Sequence, residues 1–360
     1  MTERLIDIVR RPVRDEATTL LRNNWQTLPP AMRTAQQMFG RQGNGCGATI
    51  GVMPRCDFAC RGCYLNAGAN RVPAESVDAI KAQMRVLRPI LGHAGNLQLT
   101  DGEITLRPAE EVIELIRYAH SLDLIPMLMT HGDSFRRHRG LLERYMTEGG
   151  LVEVSIHIDT TQMGRTGDAY RYATREEELH SLRAEFAGIV REAQRKTGLP
   201  LRAATTMTVT RENLRDVASV VRWVSHNADA FRLISFQPIA QVGRTEDGLG
   251  GGVDVDSLWD GIADGIGVAG GAARMRRMGV WFGHEACNRM VNGVVVKEGG
   301  VVTSFHPLRD SDDDVQLRAV DGFLTRFGGV SFRLDGARQR AAWSAQTAHA
   351  RNAITAAGIG

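Results

Sequence analysis

The chain has 360 residues, of which 43% are hydrophobic and 24% are charged, a composition typical of a globular protein and not of a disordered or fibrous one. Its formal net charge of +3 is too small to indicate binding to DNA or to an anionic membrane. The N-terminus mixes acids and bases from residue 3 onward, unlike a secretory signal, and no apolar run approaches the ~18 residues of a transmembrane segment. The sequence therefore predicts a cytoplasmic protein.

The first predicted unit, residues 1–45, is an N-terminal helical cap with helices at 5–21 and 30–39. From residue 48 onward, short apolar strands alternate with longer helical patterns, which is typical of repeated βα units and a parallel sheet. The predicted strands are 49–53, 97–100, 125–130, 152–158, 201–209 and 231–238. The predicted helices between them are 74–91, 108–122, 140–148, 175–197 and 211–225. Periodicity alone does not separate an open, doubly wound sheet from an incomplete barrel.

A glycine-rich polar loop follows residue 238 and marks a predicted domain boundary. The chain then continues, over 253–360, as a predicted C-terminal α+β extension that covers the preceding domain of residues 46–240. Within it, the pattern predicts a helix at 256–266, strands at 279–283, 291–296 and 300–303, and a closing helix at 337–357. The acidic run at 310–314 is interpreted as a solvated loop.

Three of the five cysteines, Cys56, Cys60 and Cys63, fall within eight residues directly after the first predicted strand. An odd number of clustered cysteines is a poor disulfide framework and favours a metal or iron–sulfur site in a reducing compartment. Three thiolates can hold a cubane cluster and leave one of its four irons open to another ligand. A structural zinc is the alternative, with Cys46, His284 or Cys287 as a fourth ligand.

The spacing Cys56, Cys60, Cys63, followed after the second strand by Asp101-Gly102-Glu103, resembles the radical S-adenosylmethionine (SAM) superfamily over residues 46–240. The resemblance implies an α/β fold, a partial (β/α)6 TIM-type barrel. It also implies that the three cysteines ligate a [4Fe-4S] cluster and that SAM chelates the open iron. The expected activity is reductive cleavage of SAM to a 5′-deoxyadenosyl radical that abstracts hydrogen from a substrate.

The same resemblance implies a set of cofactor-binding residues at the strand ends. They are Asp101, Gly102, Glu103, Thr130, Ser155, His157, Thr208 and Gln237. The chain departs from the family pattern at Asp101, where a glycine is usual, at Ile104, where a proline is usual, and at Gly62, where an aromatic residue often contacts the adenine. For His157, the alternative to a cofactor-binding role is that of a buried structural histidine.

The substrate is left open by the sequence. The motifs resemble those of enzymes of molybdenum-cofactor and peptide-cofactor biosynthesis, while a lipid-modifying enzyme is also compatible, so a small molecule, a peptide or a lipid chain is expected. No cobalamin-binding domain and no C-terminal cysteine-rich extension are recognisable, and Cys46, His284 and Cys287 have no assigned role. The resemblance implies an electron donor such as flavodoxin or ferredoxin. A non-catalytic scaffold or redox sensor that holds zinc or a cluster is the competing hypothesis.

Overall fold

The structure is a computed structural model that describes residues 47–91, 95–246, 248–249, 251–279 and 289–307, together with 23, 25–33, 309, 314–315 and 317–319. The predicted helices at 5–21 and 337–357 lie outside these residues, as do Cys46, His284 and Cys287. Most of the predicted strand at 279–283 and most of the acidic run also lie outside them. Of the predicted helix at 30–39, the described part is a short 3-10 helix, Pro30–Met32.

Six parallel strands form one sheet whose spatial order is the order of the sequence. They are β1 (Ala48–Met53), β2 (Gly95–Asp101), β3 (Leu124–Thr130), β4 (Glu153–His157), β5 (Arg202–Val209) and β6 (Phe231–Pro238). Since crossover connections between parallel strands are right-handed, an order without a reversal places all the crossover helices on one face. This is the topology of an α/β partial barrel, and all six predicted strands are confirmed within a few residues.

The helices of the barrel follow the strands along the chain, and the longer ones cover the outer face of this sheet. They are α1 (Val77–Leu91), α2 (Ala109–Ser121), α3 (Asp133–Arg137), α4 (Leu141–Arg144), α5 (Asp168–Arg171), α6 (His180–Thr197) and α7 (Val217–His226). A π-helical segment, Tyr145–Gly149, follows α4, and 3-10 segments, Glu176–Leu179 and Leu214–Asp216, precede α6 and α7. The five predicted helices are thus present, whereas α3 and α5 are too short for a periodic pattern to reveal them.

The two faces of the sheet differ in polarity. On β4 and β5, Val154, Ile156 and Met207 belong to the apolar core under the helices. The residues that alternate with them, including Ser155 and Thr206, lie on the opposite, concave face, because side chains alternate along a strand. The concave face of these strands is therefore polar and is the inner surface of the barrel.

Beyond the barrel, α8 (Val255–Ile266) packs against α7 and against α9 (Gly271–Met278). The strands β7 (Gly293–Glu298) and β8 (Val301–Pro307) pair as an antiparallel hairpin. The predicted helix at 256–266 and the two predicted strands at 291–296 and 300–303 are confirmed, and α9 is an additional helix. Among the described residues, no helix is both long and apolar enough to cross a membrane.

Candidate functional site

The three clustered cysteines lie on the segment that follows β1, here called the cysteine loop, residues 54–64. Its backbone is bound to the segments that follow β4 and β6. The hydrogen bonds run from the N–H of Ala59 to the carbonyl of Met163 (2.7 Å), from Arg61 to Thr161 (2.9 Å) and from Arg244 to Cys63 (3.0 Å). The loop is therefore held in a defined shape above the carboxyl ends of the strands, where barrel enzymes place their active sites.

Cys56, Cys60 and Cys63 are free thiols of intermediate burial. Burial raises the pKa of Cys56 and of Cys60 to about 12, and the neighbouring cysteines and acids contribute in the same direction. Such thiols keep their protons until the positive charge of a metal displaces them. Three thiolate donors on one loop fit an iron–sulfur cluster, and the residues considered as a fourth ligand for zinc lie outside the described residues.

The ring of Phe58, within the cysteine loop, packs against His131 and Arg165. Phe58 is almost fully buried, and its ring stacks on that of His131 with centroids 3.8 Å apart and planes at 3°. The guanidinium of Arg165 lies 4.9 Å from the centre of the Phe58 ring. Neither His131 nor Arg165 was among the predicted site residues. The position of His131 within Thr130-His131-Gly132 was the available signal, whereas Arg165 carries no motif.

The turn Asp101-Gly102-Glu103, here called the Asp-Gly-Glu turn, lies directly against the start of the cysteine loop. The N–H of Gly102 donates to the carbonyl of Met53 at 2.6 Å, and the N–H of Glu103 donates to that of Arg55 at 2.8 Å. A Cβ atom on Gly102 would lie 2.2 Å from the carbonyl oxygen of Arg55. The structure thus brings the two predicted motifs together, and only glycine fits at position 102.

Glu103 is fully buried, and both of its carboxylate oxygens are hydrogen-bonded within the protein. Oε1 accepts from the hydroxyls of Thr105 (2.5 Å) and Thr130 (2.6 Å), and Oε2 accepts from the backbone N–H of His131 (2.9 Å). These contacts give Glu103 and Thr130 a structural role at the ends of β2 and β3. A direct contact of either side chain with a cofactor stays a prediction.

Asp101 adopts a left-handed backbone conformation, with φ at 106°. Its carbonyl accepts a hydrogen bond from the hydroxyl of Tyr64 at 2.7 Å, which ties the turn to the far end of the cysteine loop. Burial raises the pKa of the Asp101 carboxyl. Asp101 therefore keeps a left-handed conformation that is free for glycine but strained for a residue with a Cβ atom.

We expect the substitution Asp101→Gly to raise the free energy of unfolding by about 1 kcal/mol, because it removes left-handed strain that costs roughly 1–3 kcal/mol and adds the smaller entropic cost of glycine. Urea denaturation of the apoprotein measures this change. Asp101→Ala is the matched control, since it removes the carboxylate but keeps the Cβ, and we expect no gain from it. A D101G protein that is less stable than the wild type contradicts the strain argument.

Ser155, His157 and Thr208 lie together on the concave face of β4 and β5. The hydroxyl of Ser155 is 3.1 Å from that of Thr206, and Nε2 of His157 is 3.2 Å from the hydroxyl of Thr208. The His157 side chain is 32% exposed, so it is not the fully buried histidine of the alternative interpretation. Gln237 is exposed on β6 and is the register partner of Thr208. The structure thus brings these four predicted residues onto one surface.

A buried carboxylate orients His157. Oδ2 of Asp159 lies 2.5 Å from Nε2 of His157, and the other oxygen of Asp159 accepts from the N–H (2.8 Å) and hydroxyl (2.6 Å) of Thr161. Burial acts to raise the pKa of Asp159, but the charge and hydrogen bonds of its partners outweigh burial and lower it to about 2. Asp159 is therefore ionised and holds the imidazole in one orientation at the inner surface of the barrel.

Residues 50–224 match the family model described as the radical SAM superfamily. This chain carries a radical SAM domain. The matched residues include the cysteine loop, the Asp-Gly-Glu turn, the last four residues of β1 and the strands from β2 to β5, and Gln237 lies beyond them. The cofactors of this superfamily are a [4Fe-4S] cluster and SAM, in agreement with the thiol donor set of the cysteine loop.

The radical SAM domain is also similar to individual characterised proteins. The chain is 27% identical over 202 residues to 7,8-dihydro-6-hydroxymethylpterin dimethyltransferase of Methanocaldococcus jannaschii, an alignment that covers 56% of this chain. The aligned part is 37% of that enzyme, so the chain spans little more than a third of its length.

Two solved structures with bound cofactor are similar to this chain at 14% identity. One is anSMEcpe with bound AdoMet, with a TM-score of 0.37 over 54% of this chain and 51% of that one. The other is anSMEcpe with bound AdoMet and the Cp18Cys peptide, with a TM-score of 0.40 over 59% of this chain and 57% of that one.

Proposed function

We propose that this protein is a radical SAM enzyme in which Cys56, Cys60 and Cys63 hold the [4Fe-4S] cluster. When bound, the cluster supplies the electron that cleaves SAM to methionine and a 5′-deoxyadenosyl radical, and the radical removes hydrogen from a substrate. The observation that carries this proposal is the position of three free thiols on one anchored loop, hydrogen-bonded to the Asp-Gly-Glu turn at the carboxyl ends of the barrel strands.

In this proposal the residues of the barrel bind and orient SAM. The carboxylate of Asp101 and the backbone of the Asp-Gly-Glu turn are placed beside the cysteine loop, where a negative group favours the ammonium of the cofactor. Glu103 has an indirect role, because its hydrogen bonds to Thr130 and His131 order the backbone at the ends of β2 and β3. The concave side chains of Ser155, His157, Thr208 and Gln237 supply hydrogen bonds to the polar parts of SAM. A reducing partner such as flavodoxin or ferredoxin delivers the electron.

The proposal for the substrate is drawn from the similarity to a named relative, because the polar side chains of the inner surface are already assigned to SAM. The name of the Methanocaldococcus jannaschii relative makes 7,8-dihydro-6-hydroxymethylpterin the first substrate to assay. We propose a small polar molecule of this kind.

The experiment that tests the function is anaerobic reconstitution of the full chain with iron and sulfide, followed by incubation with SAM and dithionite. We expect about four irons per chain, as in a cubane cluster, and the formation of 5′-deoxyadenosine. Added pterin that accelerates this formation would support the substrate proposal. Zinc in place of iron, or a cluster that does not cleave SAM, would favour the scaffold or redox-sensor hypothesis.

Ser155→Ala separates the two hypotheses further. The scaffold hypothesis predicts that both Glu103 and Ser155 can be replaced without consequence, but the loss of Glu103 would disturb the strand ends under either hypothesis. The side chain of Ser155 makes one hydrogen bond, to Thr206, among the described contacts, so its removal is expected to leave the fold and the iron content unchanged. A lower affinity for SAM, measured by equilibrium binding, is the result expected of the enzyme.

A further inference from the structure

The carboxylate of Asp57, inside the cysteine loop, is held in one position beside a cluster ligand. Its oxygen, a ring nitrogen of His131 and Sγ of Cys56 all lie within 4.8 Å of one another. Both oxygens of Asp57 accept hydrogen bonds, Oδ1 from Nε2 of His131 at 2.7 Å and Oδ2 from Nη2 of Arg137 at 3.0 Å. The negative charge therefore has a fixed location next to the sulfur of Cys56.

The geometry also fixes the tautomer of His131. Its Nδ1 accepts a hydrogen bond from the backbone N–H of Asp133 at 3.1 Å, so Nε2 is the ring nitrogen that donates to Asp57. Stacking on Phe58 holds the plane of the ring. His131 thus orients the carboxylate through a hydrogen bond, and the guanidinium of Arg137 is a cation that faces it.

We propose that Asp57 is a fixed negative charge that lowers the reduction potential of the cluster held by the three cysteines, and that the charge of Arg137 limits this effect. This inference rests on the proposed function, because it requires a cluster on Cys56. Net charge and hydrogen bonds near the ligand sulfurs are among the factors that set the potential of an iron–sulfur cluster. The N–H of Phe58, which donates to Sγ of Cys56 at 3.3 Å, acts in the opposite direction to Asp57. A lower potential favours electron transfer to the sulfonium of SAM.

The test is a redox titration of the reconstituted full chain, followed by electron paramagnetic resonance and carried out without substrate. We expect Asp57→Asn to raise the midpoint potential, because the isosteric amide keeps an oxygen for His131 but loses the charge. We expect Arg137→Gln to lower it, because the charge of Asp57 is then less compensated. Opposite shifts identify an electrostatic effect, since loosening of the loop would move both variants in the same direction.

Asp229→Asn is the matched control, with the same change of charge. Asp229 precedes β6, at the opposite end of the barrel from the cysteine loop, and pairs with Arg191. The inference is overturned if the midpoint potential of D57N shifts no more than that of D229N. It is also overturned if the potential of R137Q shifts in the same direction as that of D57N. If D57N does not take up the full cluster, the test rests on the midpoint potential of R137Q. A potential in R137Q that equals or exceeds that of the wild type contradicts the inference. Wild-type protein that binds no iron would instead refute the proposed function itself.

Discussion

Replacing Cys60 by alanine is expected to abolish 5′-deoxyadenosine formation, with a loss of at least 100-fold, in a protein that still folds. The loss follows because two thiolates no longer hold the cluster, which carries the redox chemistry. Folding is retained because the barrel core lies under the helices, away from the cysteine loop, and an average substitution costs only about 1 kcal/mol. Iron content, the absorption of the cluster and the yield of deoxyadenosine measure the effect, and circular dichroism reports the fold.

Cys287→Ala is the companion variant for this experiment. The assignment of three ligands predicts that it retains about four irons per chain, as in a cubane cluster, together with SAM cleavage. If it loses metal to the same extent as C60A, the centre has a fourth cysteine ligand and the zinc alternative gains support. Deoxyadenosine formation by C60A at the wild-type rate would remove Cys60 from the ligand set.

The substitution Arg165→Met is expected to lower the free energy of unfolding by about 3–5 kcal/mol, the usual cost of removing one partner of a buried ion pair. Only 2% of Arg165 is exposed. Its Nη1 donates to the carbonyl of His131 (2.5 Å) and to Oδ1 of Asp133 (2.9 Å), and its Nη2 donates to the carbonyl of His157 (2.9 Å) and to Gln162. Methionine fills the space but supplies none of these hydrogen bonds, and Asp133 is left with Arg136 and the N–H of Thr166 as donors.

Because Arg165 also faces the ring of Phe58, R165M is expected to bind iron more weakly in addition to being less stable. Urea denaturation of the apoprotein measures stability, and iron content after reconstitution measures the second effect. Arg191→Met is the control, because the ion pair of Arg191 with Asp229 is exposed and such pairs are worth roughly 0–1 kcal/mol. Equal destabilisation by R165M and R191M would contradict the structural role assigned to Arg165.

The strands and the larger helices were predictable because their causes are local. The strands β3 and β5 are continuous apolar or β-branched runs, and the helices between them carry the periodic pattern of one buried face. The short helices α3 and α5 were missed because five or four residues are too few to show a period. The π-helical turn at Tyr145–Gly149 was missed since it does not differ from an α-helix in composition.

The candidate site was predictable where its residues stand together in the chain. Cys56, Cys60 and Cys63 are close in sequence, and the spacing of their side chains follows from the loop that contains them. Asp101 and Gly102 were likewise found as neighbours in one turn. The contacts of Arg165 with His131 and Asp133 were not predictable, because no local pattern marks partners that are 34 and 32 positions away.

By itself the sequence determined the alternation of strands and helices, the three thiols of the cysteine loop and the adjoining Asp-Gly-Glu turn, because periodicity and short motifs act over a few neighbouring residues. The tertiary structure decided which charged side chains are enclosed by hydrogen-bonding partners. It enclosed the carboxylate of Glu103 among donors, where the motif alone indicated a cofactor ligand, and it placed Asp57 between His131 and Arg137 beside Cys56. Burial and hydrogen bonding depend on segments that meet only when the barrel forms, and they determine whether a carboxylate supports the fold or acts at the site.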